Sequence, residues 1–265
     1  MEPMKIAVCI KQVPDTEAKM KIAADGRSMD EAGINFVVSP FDEYAVEEAL
    51  RLKEKQGGEV VAYAVGDDRA ATALRTVLAM GADRAVHMKD PAFAGSDALG
   101  LSRILAAALR PEAFDLVLFG KQAVGTDRGQ VGPRVAELLD IPHVSVVVAL
   151  SVEGGRLRAE REIEGAHEVV ESPLPAAISA QKGLNDPRYA SLRGILAAKK
   201  KEIKVLSAAD LGLDPSAVGT AGAREIWESL ELPPGRSAGK VLRDLDPAAA
   251  ARELVRLLRE EAKVI

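Results

Sequence analysis

A chain of 265 residues, 48% hydrophobic and 28% charged, can bury a sizeable core and suits one large domain with an appendage, or two small ones. Thirty-five Lys and Arg against 40 Asp and Glu leave a formal charge of −5, which argues against a nucleic-acid binder. The single Cys9 excludes a disulfide framework and a multi-cysteine zinc site, and the scattered His87, His143 and His167 make no metal site.

No apolar run approaches the ~18 residues of a bilayer span, and the N-terminus lacks a signal-peptide pattern. A cytoplasmic protein without membrane insertion is expected.

Lys5 to Val13 reads as a buried strand. Ser39 then offers a cap, Pro40 a first helical residue and Asp42 a carboxylate three positions on, so a helix is predicted from Pro40 to Gln56, ended by Gly57-Gly58. Next come a strand Glu59–Val65, a helix Asp68–Met80 stopped by Gly81, a strand Arg84–Met88 and a helix Ser96–Leu109. A strand Phe114–Phe119 leads through a glycine-rich loop into a helix Gly132–Leu139. Strands alternating with helices imply β-α-β units and a parallel sheet.

After Pro142 the pattern changes. His143–Val152 and Arg156–Ile163, joined at Gly154-Gly155, read as a β-hairpin, with a further strand at Glu168–Glu171. Ala176–Ala180 is the last core strand, Arg188–Lys200 holds a helical segment, and Ile203–Leu206 is extended. Residues 207–239, rich in Gly, Pro and Ser, read as an extended arm. Asp246-Pro247 caps a final helix with Ala251, Leu254, Leu258 and Ala262 on its apolar face. The expected division is a nucleotide-binding α/β domain over residues 1–206 and a C-terminal arm and helix over 207–265.

In open parallel sheets ligands bind beyond the carboxyl ends of the strands. Three segments converge there: Cys9 to Gln12, the helix start Ser39-Pro40-Phe41-Asp42, and the loop Gly120 to Val131. Gly120, Gly125, Gly129 and Gly132 let backbone approach a ligand, amides near Gln130 can hold phosphate oxygens, and Asp127 can accept from a ribose hydroxyl. The loop matches neither G-x-G-x-x-G nor G-x-x-x-x-G-K-[ST], so neither a Rossmann dehydrogenase nor a P-loop NTPase is indicated. Cys9 reads as a small core residue. Glu160, Glu162 and Glu164 share one strand face, and Lys199, Lys200 and Lys201 read as a solvated helix end. No catalytic constellation is visible.

Several segments resemble one family, the beta subunit of electron transfer flavoprotein: KIAVCIKQVPD, SPFDEYAVEEALRLKE, LAMGADRA, GKQAVGTDRGQVG and, above all, LNDPRYASL with the lysines that follow it. The resemblance runs in order from about Met4 to Leu213. It implies a fold similar to the adenine nucleotide alpha hydrolase-like α/β domains, with a structural AMP, and a heterodimer with an alpha subunit that holds most of a redox-active FAD. Such a dimer accepts electrons from dehydrogenases, such as acyl-CoA dehydrogenases of fatty acid β-oxidation, and passes them to a membrane quinone oxidoreductase.

On this resemblance AMP contacts fall at Cys9, at Ser39, Pro40, Phe41 and Asp42, at Val65, and at Gly120, Lys121, Gln122, Ala123, Val124, Gly125, Thr126, Asp127, Arg128, Gly129, Gln130 and Val131. Glu162 and Thr16 fall near FAD, Thr16 standing where mitochondrial members carry an aromatic residue. A partner-recognition loop spans about residues 184–201, with Leu192 as the inserted leucine and Arg188, Tyr189, Lys199, Lys200 and Lys201 beside it. The arm and last helix embrace the alpha subunit. DRGQVGP also resembles members whose beta subunit binds a second FAD, with NAD, and bifurcates electrons. That reading stays open, as does a nucleotide-binding module akin to universal stress proteins. An adenylating enzyme lacks its pyrophosphate motif here.

Overall fold

The computed structural model describes residues 3–235 and 238–265. The chain opens with β1 (Met4–Cys9), whose side chains alternate between two buried faces. β2 (Gln12–Pro14) and β3 (Phe36–Val38) pair antiparallel as a ribbon of their own. Then follow α1 (Pro40–Gln56), β4 (Gly58–Val65), α2 (Ala70–Met80), β5 (Arg84–Met88), α3 (Ala98–Leu109), β6 (Leu116–Gly120) and α4 (Val131–Leu139). β7 (His143–Glu153), β8 (Arg156–Ile163) and β9 (Ala166–Pro173) form an antiparallel meander. It returns through β10 (Ala176–Ala180) to α5 (Leu192–Ala198) and β11 (Ile203–Leu206).

These strands make one sheet in the order β11-β5-β4-β1-β6-β10-β7-β8-β9. Every pair from β11 to β7 is parallel, and β8 and β9 are added antiparallel at the edge. One face packs Ile6, Val8, Leu116, Leu118 and Ile178 against Val46 and Leu50 of α1 and Leu74 and Leu78 of α2. The other packs Ala7, Val61, Tyr63, Val117 and Phe119 against Ile104 and Leu105 of α3 and Val135 of α4. The fold is therefore the parallel-sheet α/β class with helices on both faces.

Four expectations change on the structure. The strand predicted over Lys5–Val13 ends at Cys9. The Ile10 amide still donates to the Tyr63 carbonyl, but the Lys11 amide is taken by the Asp42 carboxylate, which turns the chain out of the sheet into β2. Ser39 makes no side-chain cap on α1: its hydroxyl is buried without a partner, and Pro40 alone of the start signal acts as read. α3 starts at Ala98 because Asp97, not Ser96, accepts from the Gly100 amide. The helical segment expected within Arg188–Lys200 is Leu192–Ala198, and residues 185–188 before it are held against α1. The arm is not wholly irregular: turns at Pro215–Ala217 and α6 (Gly219–Gly222) dock on the start of α3.

Past α6 the described residues of the arm show no regular structure before α7 (Pro247–Arg256), where Asp246 accepts from the Ala248 and Ala249 amides. No residue of α7 is buried, and Leu254 is 50% exposed. Among the described residues no helix is long and apolar enough to cross a membrane.

Candidate functional site

From β1 the chain winds outward through β4 and β5, then crosses back to β6 on the other side of β1. The strand order reverses there, and at such a point the loops leaving two neighbouring strands diverge and leave a crevice at their carboxyl ends. A cavity of ≈ 380 Å³ occupies it, within the range of small-ligand sites.

Asp42 builds the floor. It is buried in the first turn of α1, and its carboxylate accepts from the Lys11 amide after β1 (2.7 Å) and the Gly120 amide at the end of β6 (3.0 Å). One side chain thus ties together the two loops that diverge at the switch point. Burial pushes its carboxyl up to about 7, against the pull of those two amides. The clasp also dictates glycine at position 120, where a Cβ would lie 2.4 Å from Asp42 Oδ1 and 2.7 Å from the Asp42 amide nitrogen.

Ile10, Val65, Leu101, Leu105, Phe119 and Val131 give the cavity an apolar side suited to a flat ring. Cys9 belongs to that side: burial pushes its thiol well up, which keeps it an uncharged core residue. Polar groups line the cavity as well. Gly129, Gln130 and Val131 open α4 with amides that lack intrahelical acceptors, and Lys11, Lys121 and Arg128 line the same space. Lys121 Nζ lies 5.2 Å from the Phe41 ring centroid, so Phe41 acts on the site through the lysine. α4 approaches closely because residue 132 is glycine: a Cβ there would meet Ser179 Oγ at 2.9 Å. Behind it His143 Nε2 and Ser179 Oγ lie 2.8 Å apart. Burial, with the Arg161 charge, lowers this imidazole to about 4 and keeps it neutral.

Of the residues expected here, Cys9, Asp42, Val65, Gly120, Lys121, Gln122, Ala123, Thr126, Arg128, Gly129, Gln130 and Val131 line the cavity. Ser39, Pro40 and Phe41 sit beneath it rather than on its wall. Val124, Gly125 and Asp127 form an outward turn, and Asp127 Oδ1 accepts from Gln122 Nε2 (2.8 Å) instead of facing the cavity. Lys11 lies in the Cys9–Gln12 segment expected to converge here, whereas the Gly95-Ser96-Asp97 start of α3 and Glu225 and Trp227 of the arm were not expected at the site. Asp97 carried a signal, as an N-cap before an apolar run; Glu225 and Trp227 carried none.

The electron transfer flavoprotein domain model matches residues 27–211. The electron transfer flavoprotein subunit beta of Bacillus subtilis (strain 168) is 43% identical over 265 residues, covering 99% of this chain and 100% of that one. The human protein of that name is 39% identical over 262 residues, covering 97% and 100%. The one from Syntrophomonas wolfei is 40% identical over 262 residues, covering 98% of each. The chain belongs to the electron transfer flavoprotein beta-subunit family.

The LNDPRYASL segment and the lysines after it are seated on α1 and α2. Asn185, buried, donates to the Tyr44 carbonyl (3.0 Å) and to Glu48 (3.0 Å). Arg188 donates to Glu47 (2.7 Å) and pairs with Glu54, so its charge holds the segment to α1 and is not free for steering. Beyond this anchor Tyr189 is 98% and Leu192 75% exposed, with Ile195 and Leu196 also exposed along α5. Lys199 and Lys200 are exposed at its end, while Lys201 Nζ donates to the Ala82 carbonyl (2.5 Å). Glu162 lies on exposed β8 and accepts from Gln181 (2.9 Å), and Thr16 lies on an exposed turn after β2. Neither lines the cavity. Among the described residues no cluster of three or more His, Cys, Asp or Glu is placed to hold a metal.

Proposed function

We propose that this chain is the beta subunit of a heterodimeric electron carrier in the cytoplasm. With an alpha subunit it shares an FAD, accepts electrons from dehydrogenases such as acyl-CoA dehydrogenases, and passes them toward a membrane quinone oxidoreductase. It also holds a structural AMP. The observation that carries the AMP reading is the switch-point cavity, with an apolar side for a base and a rim of amides and cations for a phosphate.

The residues present fit AMP. Ile10, Val65, Leu101 and Phe119 would flank the adenine. The amides of Gly129 to Val131, with Lys121 and Arg128, would hold the phosphate, and Asp42 keeps the two loops in register from below. FAD supplies the redox chemistry; the chain's part is to bind, orient and dock. Glu162 and Thr16 are assigned to the flavin side. Residues 1–206 act as the nucleotide-binding domain, and residues 207–265, with Ile226, Leu232, Val241 and Leu254 exposed, reach the alpha subunit. Exposed Leu192 and Tyr189, carried on an anchored segment, are assigned to docking the dehydrogenase.

The bifurcating reading, with a second FAD and NAD in this subunit, rests on DRGQVGP. Mass spectrometry of nucleotides released from this chain, co-expressed with its alpha subunit, decides. AMP with one FAD per dimer supports the proposal, two FAD per dimer replace it with the bifurcating class, and no nucleotide on this chain overturns it.

A further inference from the structure

The cavity has one wall from a distant part of the chain. The Gly219 amide donates to Ser96 Oγ (2.8 Å) and the Arg224 amide to Asp97 Oδ2 (2.7 Å), which seats the C-terminal arm on the start of α3. Burial would raise the Asp97 carboxyl, but the amides of Gly100, Arg224 and Leu99 outweigh it and hold it below its usual range, so the seat stays charged. Just beyond, Glu225 pairs with Arg128, and the Arg128 guanidinium lies over the Trp227 ring, 5.0 Å from its centroid. Arg128, Glu225 and Trp227 all face the cavity.

We propose that this arm segment is a built wall of the nucleotide site, in which Trp227 and Glu225 position Arg128 at the phosphate end, so that nucleotide binding and arm docking strengthen each other. The proposal rests on the AMP reading above.

A guanidinium on a solvent-facing loop samples many rotamers, and ordering it on binding costs free energy. Here the ring covers one face of the fork and Glu225 fixes one edge. Arg has five N–H donors in a fixed plane, so the remaining donors stay available to a phosphate in a preset orientation. The indole also excludes water from that face, which strengthens both the cation–π contact and the cation's field toward the cavity. Because the arm holds a residue that would touch ligand, linkage is reciprocal: a ligand that prefers the seated arm must also stabilise the seat.

The test uses the full-length chain as wild type, Trp227→Ala and Trp227→Phe. AMP and adenosine binding are measured by calorimetry, and trypsin cleavage of the arm at Arg224 is followed with and without AMP. The proposal expects Trp227→Ala to weaken AMP by about five- to ten-fold, Trp227→Phe to retain most of the affinity, and adenosine to be little affected. It expects saturating AMP to slow arm cleavage in the wild type. A wild type that binds AMP while Trp227→Ala binds it equally well overturns the wall, and so does arm cleavage that ignores AMP. A wild type that binds no AMP sinks the nucleotide reading itself, and this inference with it. Should Trp227→Ala fail to fold, the wild-type cleavage test and Trp227→Phe still decide.

Discussion

Gly120→Ala tests the clasp at the switch point. An added methyl would sit 2.4 Å from Asp42 Oδ1, 2.7 Å from the Asp42 nitrogen and 2.7 Å from the Phe41 carbonyl carbon. Two of these atoms are backbone of the first turn of α1, and the third is a buried carboxylate whose position two amides fix. No flexible side chain can yield, so the turn must move away from β6. Overpacking of this kind costs about 1–3 kcal/mol. Losing the charge-assisted bond from the Gly120 amide adds about 1.5–3 kcal/mol. A total of about 2.5–6 kcal/mol should lower Tm by roughly 5–24 °C in a protein of this size. The assay is thermal and urea unfolding of the full chain, with AMP binding measured alongside, because the displaced turn floors the cavity. Gly239→Ala is the control: nothing lies within 4 Å of its Cβ position, and it should stay within about 0.5 kcal/mol of wild type. A Gly120→Ala protein that melts within about 2 °C of wild type and binds AMP normally would refute the steric argument.

Other consequences are equally open to measurement. Asp42 titrates near 7 in the fold against an ordinary value of 3.8, so folding favours its protonated form. Its contribution is full below pH 3.8 and is lost as pH rises through about 7. Wild type should therefore gain stability relative to Asp42→Asn as pH falls from about 7 to 4, and parallel urea-unfolding profiles for the two would contradict this. Arg188→Ala removes one of the two guanidinium partners of Glu47, a carboxylate only 3% exposed that keeps Arg51, and should cost about 1 kcal/mol and speed hydrogen exchange across residues 185–192; unchanged exchange there would show that the segment is held by other contacts. Leu192→Ala removes a side chain that is 75% exposed, so stability should stay within about 0.5 kcal/mol. Electron uptake from a dehydrogenase should slow by about ten-fold or more, the worth of one apolar anchor, and unaltered kcat/KM would remove Leu192 from the docking surface.

The sequence by itself determined the alternation of strands and helices, because a strand buried on both faces must be a continuous apolar run and a covering helix must show its own period. It also placed α1 by Pro40 and Gly57, the β7–β8 hairpin by Gly154-Gly155, and α7 by Asp246-Pro247, since caps and turns act within a few residues. Most of the 120–131 loop was legible for the same reason: glycine spacing is a local signal.

Only the tertiary structure decided what those pieces do together. Asp42 read as a helix-start residue, yet its carboxylate serves two amides from loops after β1 and β6, and the chain path that brings them there is set by the order of the sheet. Arg188 read as part of the partner-recognition loop, yet its charge is spent on α1. Trp227 and Glu225 sit in a stretch without periodicity, and nothing near them in sequence says that they close a cavity begun at β1. Local preferences are summed over neighbours along the chain; a binding site at a switch point is assembled from loops that topology makes neighbours only after the sheet has formed.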